Sequence, residues 1–162
     1  METDLTRMLE AFCGQRCWHV AAGAIGYAFS AEFGDKVRRD RPLLGKLSGP
    51  SPDEFELFKG YASLMIWCPW RLDGNEAPIS SSAEDRGLIE RKLQSLIGRT
   101  VQKATVISTA LDLLIEFDAG LKLRVFSEYT ADVNLGHNWS CHLGTAQCIA
   151  GPGVQWRICQ EA

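Results

Sequence analysis

The chain has 162 residues, 46% hydrophobic and 23% charged, with seventeen basic against twenty acidic side chains and a net charge of −3. These proportions exclude a disordered chain, a collagen-like chain and a coiled coil, and they fit one domain or two very small ones. The charge balance argues against an electrostatic grip on nucleic acid, which needs clustered Lys and Arg.

The apolar runs are strand-sized, well short of the 18 or so residues that a membrane helix needs. The start, Met1-Glu2-Thr3-Asp4, is acidic where a secretory signal would be basic. A cytoplasmic protein with no membrane association is therefore expected. The six cysteines, at 13, 17, 68, 141, 148 and 159, then read as small buried apolar residues rather than a disulfide framework.

Residues 3–13 predict a helix, with Thr3 or Asp4 as cap, Leu5, Met8, Leu9 and Phe12 at helical spacing and Gly14 as stop. Residues 17–33 predict two short strands broken near Gly23–Gly26. Gly34-Asp35 predicts a turn, with a third strand from Lys36. Arg38-Arg39-Asp40-Arg41 reads as a solvated charge cluster, and the Pro- and Gly-rich stretch 41–54 as loop.

Leu64–Leu72 is apolar on both faces, as expected of a strand covered on both sides, with pairing bent or ended near Pro69. Asp73-Gly74-Asn75 is a turn signal. Ser81 or Ser82 is placed to cap a helix reaching Ile97, with Gly98 as its stop. Leu111, Leu113, Ile115 and Phe117 alternate with polar or smaller-face positions, as do Leu121, Leu123 and Val125. Asp118-Ala119-Gly120 between them predicts a hairpin. Three further strands are expected near 138–143, 146–149 and 154–159.

Shifting the sequence by 84 residues aligns Met8–Gly14 with Lys92–Gly98 and Glu32-Phe33 with Glu116-Phe117. A shift of 86 aligns Trp70-Arg71-Leu72 with Trp156-Arg157-Ile158. The repeated order of elements points to an internal duplication. The expected fold is α+β: a single domain over 1–162, made of two similar β-meander halves, 1–82 and 83–162, each led by a helix and packed as one core.

No phosphate loop, His-Glu-x-x-His or Gly-x-Ser-x-Gly motif occurs. The carboxylate pairs Glu32/Asp35 and Glu116/Asp118 fall at strand ends and turns and read as turn or solvated-face groups. Cys68, between Trp67 and Trp70, sits in surroundings too apolar for a thiolate. The sharpest chemical candidate is zinc, with Cys13, Cys17 and His19 near the first helix and His137, Cys141 and His142 in the tail as ligands, although neither spacing is that of a zinc knuckle. The expectation set against it is buried thiols and no cofactor. Five tryptophans are many for this length. Trp67, Trp70 and Trp156, with Arg71 and Arg157 each following a Trp, are the candidate ligand-binding residues, since Trp and Arg concentrate at binding hot spots. No catalytic residue is assigned.

The run Ser63-Leu-Met-Ile-Trp-Cys-Pro-Trp-Arg-Leu72, with Ile79–Ser82 behind it, resembles small bacterial proteins of a domain of unknown function, in which a Cys-Pro-Trp-Arg strand follows an N-terminal meander. Their second half is similar to Leu96–Val101 and Leu113–Phe126. The resemblance implies no activity and carries over no catalytic residue. By analogy it implies an immunity-type, toxin-neutralising role. The expected function is a non-enzymatic binding or interaction protein with a protein partner, able to pair as a homodimer through an open sheet edge. The alternative is a small-ligand or zinc-dependent enzyme, with a site between the halves built from His137, His142, Cys141 and Arg71.

Overall fold

A computed structural model of the chain describes residues 3–23, 27–43, 53–130 and 136–160. Most of the break expected near Gly23–Gly26 (24–26) and most of the Pro- and Gly-rich stretch (44–52) lie outside these residues.

The first helix, α1 (Asp4–Ala11), is capped by Thr3, whose side chain accepts from the Thr6 amide. It buries Leu5, Met8 and Leu9 and ends at Gly14, which takes a φ of +85°. Strands β1 (Cys17–Ala22) and β2 (Phe29–Arg38) follow. The turn expected at Gly34-Asp35 is absent, because β2 continues through it with a register shift between Phe33 and Lys36. Gly34, at a φ of +75°, supplies the backbone freedom that this irregularity needs. A one-turn helix, α2 (Glu54–Leu57), leads into β3 (Phe58–Ile66).

The run from Leu64 to Leu72 is two strands rather than one. β3 stops at Ile66 and β4 (Trp70–Asp73) starts after Pro69, in the other sheet. Proline removes a ladder donor, so the chain changes sheet where it can no longer continue pairing. β5 (Pro78–Ser81) is an edge strand that opens on a proline. The next helix, α3 (Arg86–Leu93), is capped by Asp85 rather than Ser81 or Ser82. It tightens into a 3₁₀ turn over Gln94–Leu96. The remaining strands are β6 (Val101–Val106), β7 (Leu113–Phe117), β8 (Lys122–Val125), β9 (Trp139–Leu143), β10 (Ala146–Ala150) and β11 (Trp156–Gln160). The hairpin read at Asp118–Gly120 joins β7 and β8.

The chain is mixed α and β, dominated by two antiparallel sheets. One has the order β1-β2-β3-β9-β10-β11, the other β5-β4-β8-β7-β6. The six-stranded sheet takes its strands from both ends of the sequence and the five-stranded sheet from the middle. One buried cluster joins them, with Phe12, Phe29, Phe33 and Ile66 from one side and Trp70, Leu113, Phe117 and Leu123 from the other. Alternation puts these residues inward and leaves the other faces outward. No helix among the described residues is long and apolar enough to cross a membrane.

The sheets meet where residues 14–17 run antiparallel to 98–101. Gly14 N donates to Val101 O (2.7 Å) and Gly98 N to Cys17 O (2.8 Å). Cys17 N donates to Arg99 O (2.8 Å) and Val101 N to Gln15 O (2.9 Å). Arg16 and Thr100 form the bridge between these segments.

Candidate functional site

The outer face of the six-stranded sheet carries one polar row. His19 lies opposite Glu32, Glu32 opposite Ser63, and Ser63 opposite His142. Their neighbours Ala31, Phe33, Ala62, Leu64 and Cys141 are buried in the core, so the row points outward by strand alternation. Helix α2 lies over its β1 end. The Phe55 ring stacks on His19 at 4.1 Å, and the Arg39 guanidinium sits 4.7 Å from the same ring while its Nε donates to Phe55 O (3.0 Å). Phe55 is thus held between an imidazole and a guanidinium. Burial pulls the His19 pKa below its usual value, which keeps the stacked imidazole neutral.

Glu32 departs most from its sequence reading. It is not a solvated turn group but only 7% exposed. Its Oε2 accepts the Gly60 amide at 2.7 Å, at the level where β2 and β3 shift register. Burial raises the carboxyl pKa, and the Gly60 bond and the nearby Arg39 and Lys59 pull it back only in part. Ser63 Oγ and His142 Nδ1 are 3.4 Å apart.

One cleft opens over this row and a second adjoins it. The first, about 270 Å³, is lined by Glu32, Arg39, Lys59, Ser63 and His142 together with Gly60 and Gly144. The second, about 420 Å³, runs along Val37–Leu43 and is also lined by Lys59. Arg39 and Lys59 belong to both, so the two form one groove. Its longer part presents Arg38, Arg39, Arg41 and Lys59 against the single carboxylate Asp40. The Arg38–Arg41 cluster, read from sequence as a solvated edge, is therefore a wall of this groove. Arg38 also lies 5.9 Å from the Phe58 ring.

The candidate ligand-binding residues are dispersed. Trp70 is buried, and its Nε1 donates to Tyr27 O (2.8 Å). Arg71 is on the outer face of the five-stranded sheet, its Nε bonded to Asp73 Oδ1 (2.7 Å) and its Nη2 to Oδ2 (3.2 Å). Arg124 Nε also donates to Asp73 Oδ2 (3.0 Å). The Arg71 bonds first, and then those of Arg124, hold the Asp73 carboxyl below its usual range. A carboxylate of lowered pKa adds stability above the ordinary Asp range and loses it as pH falls through the folded-state value. Asp73→Asn is expected to cost about 1 kcal/mol at neutral pH, given the partly exposed Arg71. The difference from the parent should vanish in acid, as followed by urea unfolding against pH. Trp67 meets the His137 ring edge-on at 4.2 Å, while Trp156 and Arg157 line a separate cleft with His137.

The Cys and His candidates do not converge. Cys17 and Cys141 are buried in the core, Cys13 is half-buried just beyond α1, His19 and His142 are in the outward row, and His137 is in the separate cleft. Among the described residues no three His, Cys, Asp or Glu side chains form a group able to hold a metal ion. Burial pushes the Cys17 and Cys68 thiols up to about 12, so neither is a thiolate nucleophile near neutrality. Ser63 is flanked by Glu32 on one strand and His142 on the other, so the acid does not orient the imidazole as a nucleophile's base requires.

No family model, curated protein or solved structure matches this chain.

Proposed function

We propose that this protein is a non-enzymatic binding protein, and that its partner is a protein presenting an acidic segment to the groove along Val37–Leu43 and Lys59. The observation that carries the reading is the concentration of Arg38, Arg39, Arg41 and Lys59 on one groove in a chain of net charge −3. Guanidinium groups recognise carboxylates through paired hydrogen bonds. The half-exposed Val37 and Leu43 add apolar contact beside the charges. A protein is favoured over a nucleic acid because Val37, Pro42 and Leu43 line the groove among the charges, an apolar share that a peptide segment can cover and a phosphate backbone cannot.

The proposal includes two equivalent halves with exchanged strands, α1 and β1–β5 answering to α3 and β6–β10. Several paired features support it. Arg16 and Thr100, 84 residues apart, bridge each other, and the bonds beside them come in matched pairs. Gly34 N donates to Arg16 O as Asp118 N does to Thr100 O. The first two strands of each half share a register shift, between Cys17 and His19 and between Val101 and Lys103. The Trp70 indole donates to Tyr27 O as that of Trp139 does to Leu111 O, both at 2.8 Å. Trp139 is thus the counterpart of Trp70, not Trp156, which the shift of 86 had suggested.

On this equivalence, the row His19, Glu32, Ser63, His142 corresponds to Lys103, Glu116, Lys122, Asp73 on the other sheet. The second row is a ladder of alternating charge, with Lys122 3.6 Å from Glu116, which is ordinary sheet stabilisation. The first row lacks that alternation and lines the cleft that adjoins the groove, which supports locating binding on this face.

The test is titration with a fluorescent oligoglutamate peptide, followed by anisotropy. Saturable binding that weakens with salt and falls at least about tenfold in Arg39→Glu/Lys59→Glu is the expected outcome. Preference for single-stranded DNA over the peptide would replace the protein partner with a nucleic acid. Binding unchanged by the charge reversal would remove the groove from the function.

A further inference from the structure

We infer that the cleft at the β10–β11 turn is a second, separate binding site, for a small planar organic anion. The six-stranded sheet carries one strand more than the five-stranded sheet, and the extra edge strand is β11. The cleft, about 310 Å³, is lined chiefly by this addition: Gly151, Pro152, Gln155, Trp156 and Arg157, with His137 opposite. That volume is at the small end of ligand pockets.

The walls are fixed. Asn138 is fully buried. Its Oδ1 accepts the Tyr129 amide (3.0 Å) and its Nδ2 donates to Tyr129 O (3.3 Å). Its own amide donates to Ala150 O (2.9 Å). The turn is closed by Gly151 N to Gln155 O and Gly153 N to Tyr129 O, both 2.7 Å. Gly151, at a φ of +88°, packs against the Asn138 side chain where a Cβ would collide. Such a turn holds its shape before a ligand arrives.

Three groups define what would bind. Trp156, 38% exposed although large and apolar, offers an aromatic surface. Arg157 offers a guanidinium. His137 offers Nε2, which is buried and has no hydrogen-bond partner. Among the described residues no Asp or Glu lines the cleft. Burial and the nearby Arg157 lower the His137 pKa, so a neutral imidazole faces the ligand and can donate one hydrogen bond without repelling the guanidinium. A ligand with a flat ring for the indole and an anionic group for Arg157 and His137 would engage all three, Trp156 and Arg157 flanking the edge of β11 from its two sides. The anion can be a carboxylate on an aromatic ring or a phosphate on a nucleoside, and the experiment separates them.

The indole N–H resonances of the five tryptophans are followed in two-dimensional ¹H–¹⁵N spectra, with Trp156→Phe assigning the peak of interest. The probes are 1-naphthoate, adenosine monophosphate and the neutral 1-naphthalenemethanol, each to about 10 mM, a range that reveals millimolar affinity. The expected result is a saturable shift of the Trp156 peak with one or both anions, weakened at least about fivefold in Arg157→Gln. The stronger anion identifies carboxylate or phosphate. Unmoved resonances for the other indoles show that Arg157→Gln is folded. No saturable shift with either anion, an equal shift in Arg157→Gln, or an equal response to the neutral alcohol would overturn the site. Groove variants should leave this titration unchanged, since the two clefts share no lining residue.

Discussion

Trp139→Ala is expected to lower stability by about 3–5 kcal/mol, as large aromatic truncations in packed cores do. Trp139 is fully buried, and its Nε1 donates to Leu111 O at 2.8 Å. Leu111 adopts a φ of +66°, which side chains rarely take. The indole bond, together with that from Ser127 Oγ (3.0 Å), holds this carbonyl in place. Truncation therefore opens a cavity and loosens a strained turn at once. Against a total of about 5–15 kcal/mol for a typical domain, this brings the variant close to unfolding. Trp139→Phe keeps most of the volume and should lose less than half as much. Trp70→Ala should match Trp139→Ala, because Trp70 is equally buried, bonds Tyr27 O and meets Phe29 edge-on at 5.0 Å. Urea denaturation gives all three values, and a loss under about 1 kcal/mol for Trp139→Ala would contradict the packing described.

Gly60→Ala is expected to cost about 3 kcal/mol, at the upper end for overpacking. A Cβ at Gly60 would stand 2.6 Å from both Phe33 O and Ala62 O and 2.7 Å from Phe33 N. All three are backbone atoms, two on β2 and one on β3 itself, so relief requires β2 and β3 to separate at their register shift and β3 to change its own course. The same movement would pull the Gly60 amide from Glu32 and leave a buried carboxylate without its donor. Acidic-peptide affinity should fall with stability, since Lys59 and Arg39 flank this point. Gly14→Ala is the control. Nothing lies within 4 Å of its Cβ, so only the strain of its φ of +85° remains, about 1 kcal/mol. Equal losses in the two variants would mean that the close approach at Gly60 is unimportant.

Local patterns in the sequence were enough to read α1 and the hairpin of β7 and β8. Helical spacing with a Thr cap, and strict alternation around Asp-Ala-Gly, report the immediate environment of each residue. The division of Leu64–Leu72 between two sheets was not legible, because both pieces pack in the same core and look equally apolar. Pro69 marked a bend but could not say where the chain went next. Glu32 read as a strand-end carboxylate because its burial comes from Gly60, far along the chain. The groove was missed for a similar reason: Arg38–Arg41 acquires meaning from Lys59 on β3. A constant offset related Arg16 to Thr100 but failed for the tryptophans. On the proposed equivalence the offset falls from 84 at Arg16 and Thr100 to 69 at Trp70 and Trp139, chiefly because nineteen residues separate β2 from β3 but only four separate β7 from β8.

The exchanged strand order also sets a timetable for synthesis. β3, nine residues long, can pair with β2 as soon as both leave the ribosome, but its other neighbour is β9. Until Trp139–Leu143 emerges, the inner half of β3, from Ala62 to Ile66, presents an open apolar edge that any other extended chain could occupy. The five-stranded sheet likewise waits for β8 before β4 can join it. Neither sheet is complete early, so the nascent chain spends most of its synthesis with an unpaired edge. Chains truncated before β9 are therefore expected to depend on chaperones more than chains that contain it, as co-purification during expression would read.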